Sequence, residues 1–151
     1  MLKMIDIIPF EISKKLKEIG FSYPCLAYYT KLGCLYFNNI DTYYMPNQEI
    51  SLSDMTKVYN LGNSEGYTDA PKIHQVLRWL VNDYNIHIIL KPYYNGFKTD
   101  GSGKMNRYWK YTIYTIDNEF DTYICSQETN EYKTQEEAYI GAIKYIVNNM
   151  F

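Results

Sequence analysis

The sequence predicts an α+β fold, a single domain in which an antiparallel sheet of about five strands carries about three helices packed mainly on one face. Segments with apolar residues at three- and four-residue steps, typical of helices, stand between short β-branched and aromatic segments, typical of strands. The links between neighbouring strand segments are short, which favours antiparallel pairing. A chain of 151 residues is long enough for one such core.

The best-specified element runs from Asp69 to Tyr84. Pro71 suits the first helical position, because an N–H there has no intrahelical partner to lose, and Asp69 places negative charge beside the positive end of the helix. A β-branched run from Ile86 to Leu90 follows and predicts a buried strand. The apolar face of the helix is formed by Ile73, Val76, Leu77, Leu80, Val81 and Tyr84.

Two further helices are predicted near the chain ends. The first, Glu11 to Ile19, is followed by Gly20, which can take the left-handed conformation that ends a helix. The last, Thr134 to Asn149, begins with Thr134 and Glu137 in the spacing of a capping box.

The strands are predicted as one hairpin followed, after the central helix, by three more segments. The segment from 38 to 68 has no clear periodicity beyond one short helix from Ser51 to Tyr59, and connections of this length often carry binding surfaces. The hairpin is Tyr23 to Phe37, turning through Lys31, Leu32 and Gly33; the later strands are Ile86 to Tyr94, Arg107 to Ile116 and Phe120 to Ser126, with a tight turn at Asp117, Asn118 and Glu119.

Composition narrows the class of protein. The net charge of −2 lacks the basic excess of a dedicated nucleic-acid-binding protein, which argues against nucleic acid as a partner. Cys25, Cys34 and Cys125 form no Cys-x-x-Cys motif, so reduced thiols in a cytoplasmic protein are the expectation. No signal peptide and no membrane span is expected. The 18 tyrosines suggest either half-buried strand positions or exposed rings that bind a partner.

No motif in the chain predicts catalysis, a metal or a cofactor. The loop from Gly96 to Lys104 lacks both the Gly-Lys-Ser/Thr ending and the following helix of a phosphate-binding loop. His74 and His87 share no ligand spacing. A Cys–His pair across space is conceivable, but apolar neighbours make a thiol inert. The carboxylates at Asp117, Glu119 and Asp121 suit an exposed turn better than acid–base work.

Two groups of residues are candidates for binding. In the central helix, His74, Arg78 and Trp79 have the composition of an interface anchor. The competing interpretation is that Trp79 widens the core face while Arg78 points to water. Around the 96–104 loop, a nucleotide-like ligand would use the aromatic rings of Tyr93 and Tyr94 and the charges of Lys98, Lys104 and Arg107.

Three segments resemble small proteins of phages and prophages from gut Bacteroidetes. They are LKEIGFSYPCLAY (residues 16–28), DAPKIHQVLRWLVNDY (residues 69–84) and YKTQEEAYIGAI (residues 132–143). The resemblance implies a setting, an accessory protein in the cytoplasm of a bacterial host cell, and it implies no mechanism.

The favoured hypothesis is therefore a non-enzymatic accessory or interaction protein with a Tyr-rich surface. Its expected partner is a host or phage protein, or a second copy of the chain. A small-ligand (nucleotide-like) binding protein is the alternative, and a small hydrolase using Cys or carboxylate chemistry is the third hypothesis. The hydrolase requires His74 or His87 within hydrogen-bond reach of a thiol or carboxylate.

Overall fold

The computed structural model describes residues 6–37, 40–43, 65–94, 107–116, 122–127 and 130–151. Within them lie three helices, α1 (Phe10–Glu18), α2 (Ile73–Tyr84) and α3 (Gln135–Asn149). The strands are β1 (Ala27–Thr30), β2 (Leu35–Phe37), β3 (Ile40–Tyr43), β4 (Tyr67–Asp69), β5 (Ile86–Tyr94), β6 (Arg107–Ile116) and β7 (Thr122–Gln127).

The predicted α+β class and its antiparallel pairing are confirmed. The strands, however, form two sheets rather than one of about five strands: a first sheet in the order β3-β2-β1-β4 and a second in the order β5-β6-β7. Every described pair is antiparallel. Two strands that the sequence does not signal extend the predicted hairpin into a sheet of its own: β4 pairs with β1, and β3 pairs with β2.

Helix α1 ends as its sequence predicts. Gly20 has a φ of +96°, the left-handed region that glycine enters without strain. The N–H of Phe21 donates to the carbonyl of Leu16 at 2.9 Å and that of Gly20 donates to Lys17 at 3.2 Å. This pair of bonds is the Schellman motif, and it folds the buried ring of Phe21 back onto the last turn.

Helix α3 begins at its predicted cap, with one difference from a full capping box. The Thr134 hydroxyl accepts a hydrogen bond from the N–H of Glu137 at 3.1 Å. The Glu137 carboxylate accepts from the N–H of Lys133 at 3.1 Å, one residue before the expected donor. Two backbone donors at the start of α3 are still satisfied by side chains.

Helix α2 begins two residues later than Pro71 suggests. Lys72 is the capping residue and Ile73 the first helical one, so Pro71 lies before the cap. The reason is a competing contact: the carbonyl of Pro71 accepts a hydrogen bond from the N–H of Ile8 at 2.8 Å, and Lys72 forms an antiparallel bridge with Ile7. Asp69 is the last residue of β4.

The main core lies between the three helices and the inner face of the second sheet. It includes Leu16 of α1, Leu80 of α2, Ile113 of β6 and Ile146 of α3, each no more than 1% exposed. A smaller core under the first sheet is formed by Ile7, Ala27, Tyr29, Leu35 and Ala70. Each sheet therefore buries one face in its own cluster of side chains.

Trp79 belongs to the main core, and the prediction that it is an exposed interface anchor is wrong. Its side chain is 2% exposed. Its ring lies 5.4 Å from the ring of Phe21 and 5.0 Å from that of Tyr84, both in edge-to-face geometry. The competing interpretation is correct, since Trp79 widens the apolar face of α2 while Arg78 is exposed.

Strand β5 is less buried than its β-branched sequence predicts. It lies at an edge of the second sheet, and only Ile86 among its residues is buried. Ile89, with 47% of its surface exposed, points away from the core. The continuous apolar run reflects a strand whose two faces are both largely apolar.

Several predicted features lie outside the described residues. These are the helix from Ser51 to Tyr59, the loop from Gly96 to Lys104 and the turn at Asp117, Asn118 and Glu119. Across the described part of the chain, no helix has the length and apolar character needed to cross a bilayer.

The contact between Tyr132 and Gly141 yields a stability test. A Cβ added at Gly141 would lie 2.6 Å from the Cζ atom of Tyr132 and would also overlap its hydroxyl oxygen. Gly141→Ala should therefore destabilise the protein by about 1–3 kcal/mol through overpacking. The loss should outweigh the gain of about 1 kcal/mol in helix propensity.

The same substitution in a Tyr132→Ala background should instead stabilise the protein, because the clash is gone and the propensity gain remains. Urea unfolding of the four proteins in this cycle measures the change of sign. An equal effect of Gly141→Ala in both backgrounds would contradict the described packing.

Candidate binding surface

The second sheet has an outer face that carries none of the described hydrophobic core residues. The register pairs Ile88 with Ile113 and Leu90 with Tyr111, and these side chains face the main core. Side chains alternate between faces along a strand, so the residues between them point outward. We call this set the outer face: His87, Ile89, Lys91 and Tyr93 of β5, with Tyr108, Lys110, Thr112 and Tyr114 of β6.

Exposed rings and cations meet on the outer face. Tyr93 is 41% exposed, and it is paired in register with Tyr108. The ammonium nitrogen of Lys110 lies 4.9 Å from the centre of the Tyr93 ring, a cation–π contact between diagonal neighbours on the two strands. Lys91 is paired with Lys110 and is exposed. The two lysines thus form a pair next to one accessible ring, that of Tyr93.

A second ring–cation group lies at the same end of the sheet, where residues face the other way. Tyr94 is 55% exposed and is paired with Arg107. The guanidinium carbon of Arg107 lies 5.7 Å from the ring centre of Trp109. The end of the β5–β6 ribbon therefore presents aromatic and cationic groups on both of its sides.

The charge of these strands differs in sign from that of the whole chain. The sequences of β5, β6 and β7 contain Lys91, Arg107 and Lys110 and contain no Asp or Glu. The chain as a whole has 17 acidic and 15 basic residues. The exposed carboxylate of Glu131 stands next to this ribbon, just before the bridge between Tyr132 and Trp109, so the cations around Tyr93 outnumber the acidic groups without excluding them. A local excess of cations favours anionic partners.

The structure brings together only part of the predicted binding set. Tyr93, Tyr94 and Arg107 lie at one end of the β5–β6 ribbon. Lys98 and Lys104 are outside the described residues. Sequence reasoning missed Lys91, Tyr108 and Lys110, and the signal that could have found them is the period-two alternation of two paired strands, read together.

His74 and Arg78 belong to a different part of the surface. His74 lines a groove of about 260 Å³ between the starts of α2 and α3, together with Asp6, Lys72, Gln135 and Glu136. Partial burial lowers the pKa of His74 from its ordinary value, and the charges of Lys72 and Arg78 lower it further, while Asp6 opposes them. The groove mixes both signs of charge, with two carboxylates, Asp6 and Glu136, and one ammonium, Lys72.

His87 lies where the outer face meets helix α2. It lines an apolar groove of about 350 Å³ with Leu77, Val81, Ile89 and Tyr114. Its Nε2 atom is buried and has no hydrogen-bond partner among the described residues. Neither His87 nor His74 is hydrogen-bonded to a thiol or a carboxylate within the described part of the chain.

The described thiols do not have the environment of a nucleophile. Burial, with a smaller contribution from the charge of Asp69, raises the pKa of the Cys25 thiol far above its ordinary value. Cys34 is half-buried. The described residues contain no cluster of three or more His, Cys, Asp or Glu that could hold a metal ion.

Comparisons with protein-family models, with curated proteins and with solved structures found no match. The function is therefore inferred from the surface itself.

The electrostatic surroundings of His74 can be tested by NMR, because the chain has only two histidines. The pKa of His74 should lie below its ordinary value in the folded protein. Arg78→Gln removes a cation that disfavours the imidazolium, so the pKa should rise. Asp6→Asn removes the opposing carboxylate, so the pKa should fall. A change in the opposite direction for either variant would contradict the described contacts.

Proposed function

We propose that the protein is a non-enzymatic binding protein that engages an anionic partner through the outer face of its second sheet. The observation that carries this proposal is the set formed by Tyr93, Lys91 and Lys110. It places an exposed ring next to a pair of cations, on strands whose sequences contain no carboxylate. Exposed aromatic residues next to cations are typical of recognition surfaces, because the ring supplies contact area and the cation supplies orientation.

The fold supports a binding role for this face. It consists of paired strands, so its side chains are positioned by the backbone ladder and by the buried residues on the opposite face. The outer face also remains apolar at Ile89, which lies between the His87 groove and the cations. A partner would therefore gain apolar contact as well as charge.

The sequence resemblance supports an accessory role for a phage, in the cytoplasm of a bacterial host. In that setting, a protein that binds through a preformed surface acts by holding or covering its partner. No covalent step is needed for this role.

Chemical labelling of tyrosines tests the proposal while the partner is still unidentified. In the purified protein, Tyr93 and Tyr67 should react at similar rates, because 41% and 42% of their surfaces are exposed. In an extract of the bacterial cells that make the protein, labelling of Tyr93 should fall several-fold. Tyr67 lies on the first sheet and should keep its rate. Mass spectrometry of the labelled peptides gives both rates in one sample.

Charge reversal provides the matched control. Lys110→Glu should abolish the protection of Tyr93, whereas Lys144→Glu, an exposed site on α3, should leave it unchanged. If Tyr93 labels at the same rate in the extract and in buffer, the outer face is not the binding surface and the proposal is wrong.

A further inference from the structure

We infer that the partner of the outer face is single-stranded nucleic acid, an inference that rests on the proposed binding function of this face. Proteins that bind single strands combine aromatic rings, on which bases stack, with cations that follow the phosphates. The set Tyr93, Lys91 and Lys110 has both parts in one place.

The charge pattern favours a polyanion. An overall charge of −2 would repel nucleic acid at long range, so binding needs a local excess of cations. The sequences of strands β5, β6 and β7 provide it, with three cations and no acidic residue. Lys91 and Lys110 stand side by side on the outer face, whereas Arg107 faces the other side of the ribbon. Successive phosphates of one strand can contact both lysines.

The ring geometry favours bases over an acidic peptide. Tyr93 presents an exposed ring on the outer face, with Tyr108 beside it and Ile89 further along the same face. A nucleobase would stack on this ring in place of the Lys110 ammonium, which lies over it at 4.9 Å, and the displaced ammonium would contact the attached phosphate. The side chains of Asp and Glu have no aromatic plane and would use the cations alone.

The edge of the sheet argues against strand addition by a protein. Pro92, in the second half of β5, has no N–H to donate to an added strand, and Lys91 places a charge beside it. A second copy pairing there would bring like charges together. Contact through the outer face is the mode that remains available to β5.

Single strands should be preferred to duplexes. A duplex hides its base planes inside the helix, so Tyr93 would have no base face on which to stack. A small ligand is also a poor fit, since small-molecule sites bury most of the ligand in a concavity while Tyr93 and Lys91 are exposed.

Fluorescence anisotropy with labelled oligonucleotides tests the inference on the purified full chain. Single-stranded DNA and RNA of about 12 nucleotides are within the range of known single-strand sites. Both should bind, and a duplex of the same sequence should bind at least about tenfold more weakly. Between about 50 and 200 mM salt, the slope of log K against log salt should be about −1.4, because the two lysines of the outer face each release counterions worth about −0.7.

Substitutions separate stacking from charge. Tyr93→Ala should weaken single-strand binding at least about fivefold. Lys110→Gln should reduce the magnitude of the salt slope by about 0.7. The matched controls are Tyr67→Ala, at a ring of similar exposure on the first sheet, and Lys144→Gln on α3, and neither should change affinity. Thermal unfolding of each variant shows that it remains folded.

Three results would overturn the inference. These are an absence of binding to either oligonucleotide, equal binding of poly-glutamate and single strands with no effect of Tyr93→Ala, and equal binding of duplex and single strands. The labelling experiment distinguishes this failure from failure of the proposed function. If nuclease treatment of the extract leaves Tyr93 protected, the outer face binds a partner that is not nucleic acid.

Discussion

The structure depends on the in-and-out alternation of side chains along the paired strands β5 and β6. Ile88, Leu90, Tyr111 and Ile113 point to the helices and form part of the main core. A strand has a side-chain period of two, so this burial dictates which residues face outward. A slip of β5 by one residue against β6 would turn Lys91 toward the core and Ile88 and Leu90 toward water. Burial of the apolar side chains on one face of the ribbon therefore determines that the cationic and aromatic side chains lie on the other face.

An element can be predicted from the sequence when the contacts that define it are local in the chain. The three helices are predictable because their stripes and caps are local signals: Gly20 ends α1 and Thr134 opens α3. The start of α2 is not, because a distant segment decides it, since Ile7 and Ile8 bind the backbone of residues 71–72. Strand β4 has only three residues, too few to show alternation, and it is defined by its pairing with β1. The first sheet therefore has two strands that the sequence does not signal, β3 and β4.

The candidate surface is harder to predict than the fold for a related reason. Tyr93, Tyr94 and Arg107 stand close to a loop rich in glycine and lysine, whereas Lys91 and Lys110 stand inside strands and look like ordinary polar positions. They become neighbours of Tyr93 only when β5 and β6 are paired in their actual register. A local sequence pattern does not predict which residues from other parts of the chain will become neighbours.

Trp79 is a residue whose burial, rather than exposure, is decided by distant parts of the chain. Its position beside Arg78 suggests a surface anchor, but Phe21, which follows α1, and the C-terminal Phe151 supply rings that enclose it. Both rings are far from Trp79 along the chain, so no local pattern announces them. The helix stripe alone therefore underestimates the width of the buried face of α2.

The composition of β5 also resolves a conflict between binding and self-association. An exposed, largely apolar edge strand is a template for pairing with other chains. Strand β5 is such a strand in its first half, from Ile86 to Leu90, where Leu77 and Val81 of helix α2 stand next to it. In its second half, Lys91 and Pro92 interrupt the edge with a charge and a missing donor. Backbone pairing is thereby disfavoured where the side chains are most exposed. In this second half, the side chains of the outer face rather than the backbone are available for contact with another molecule.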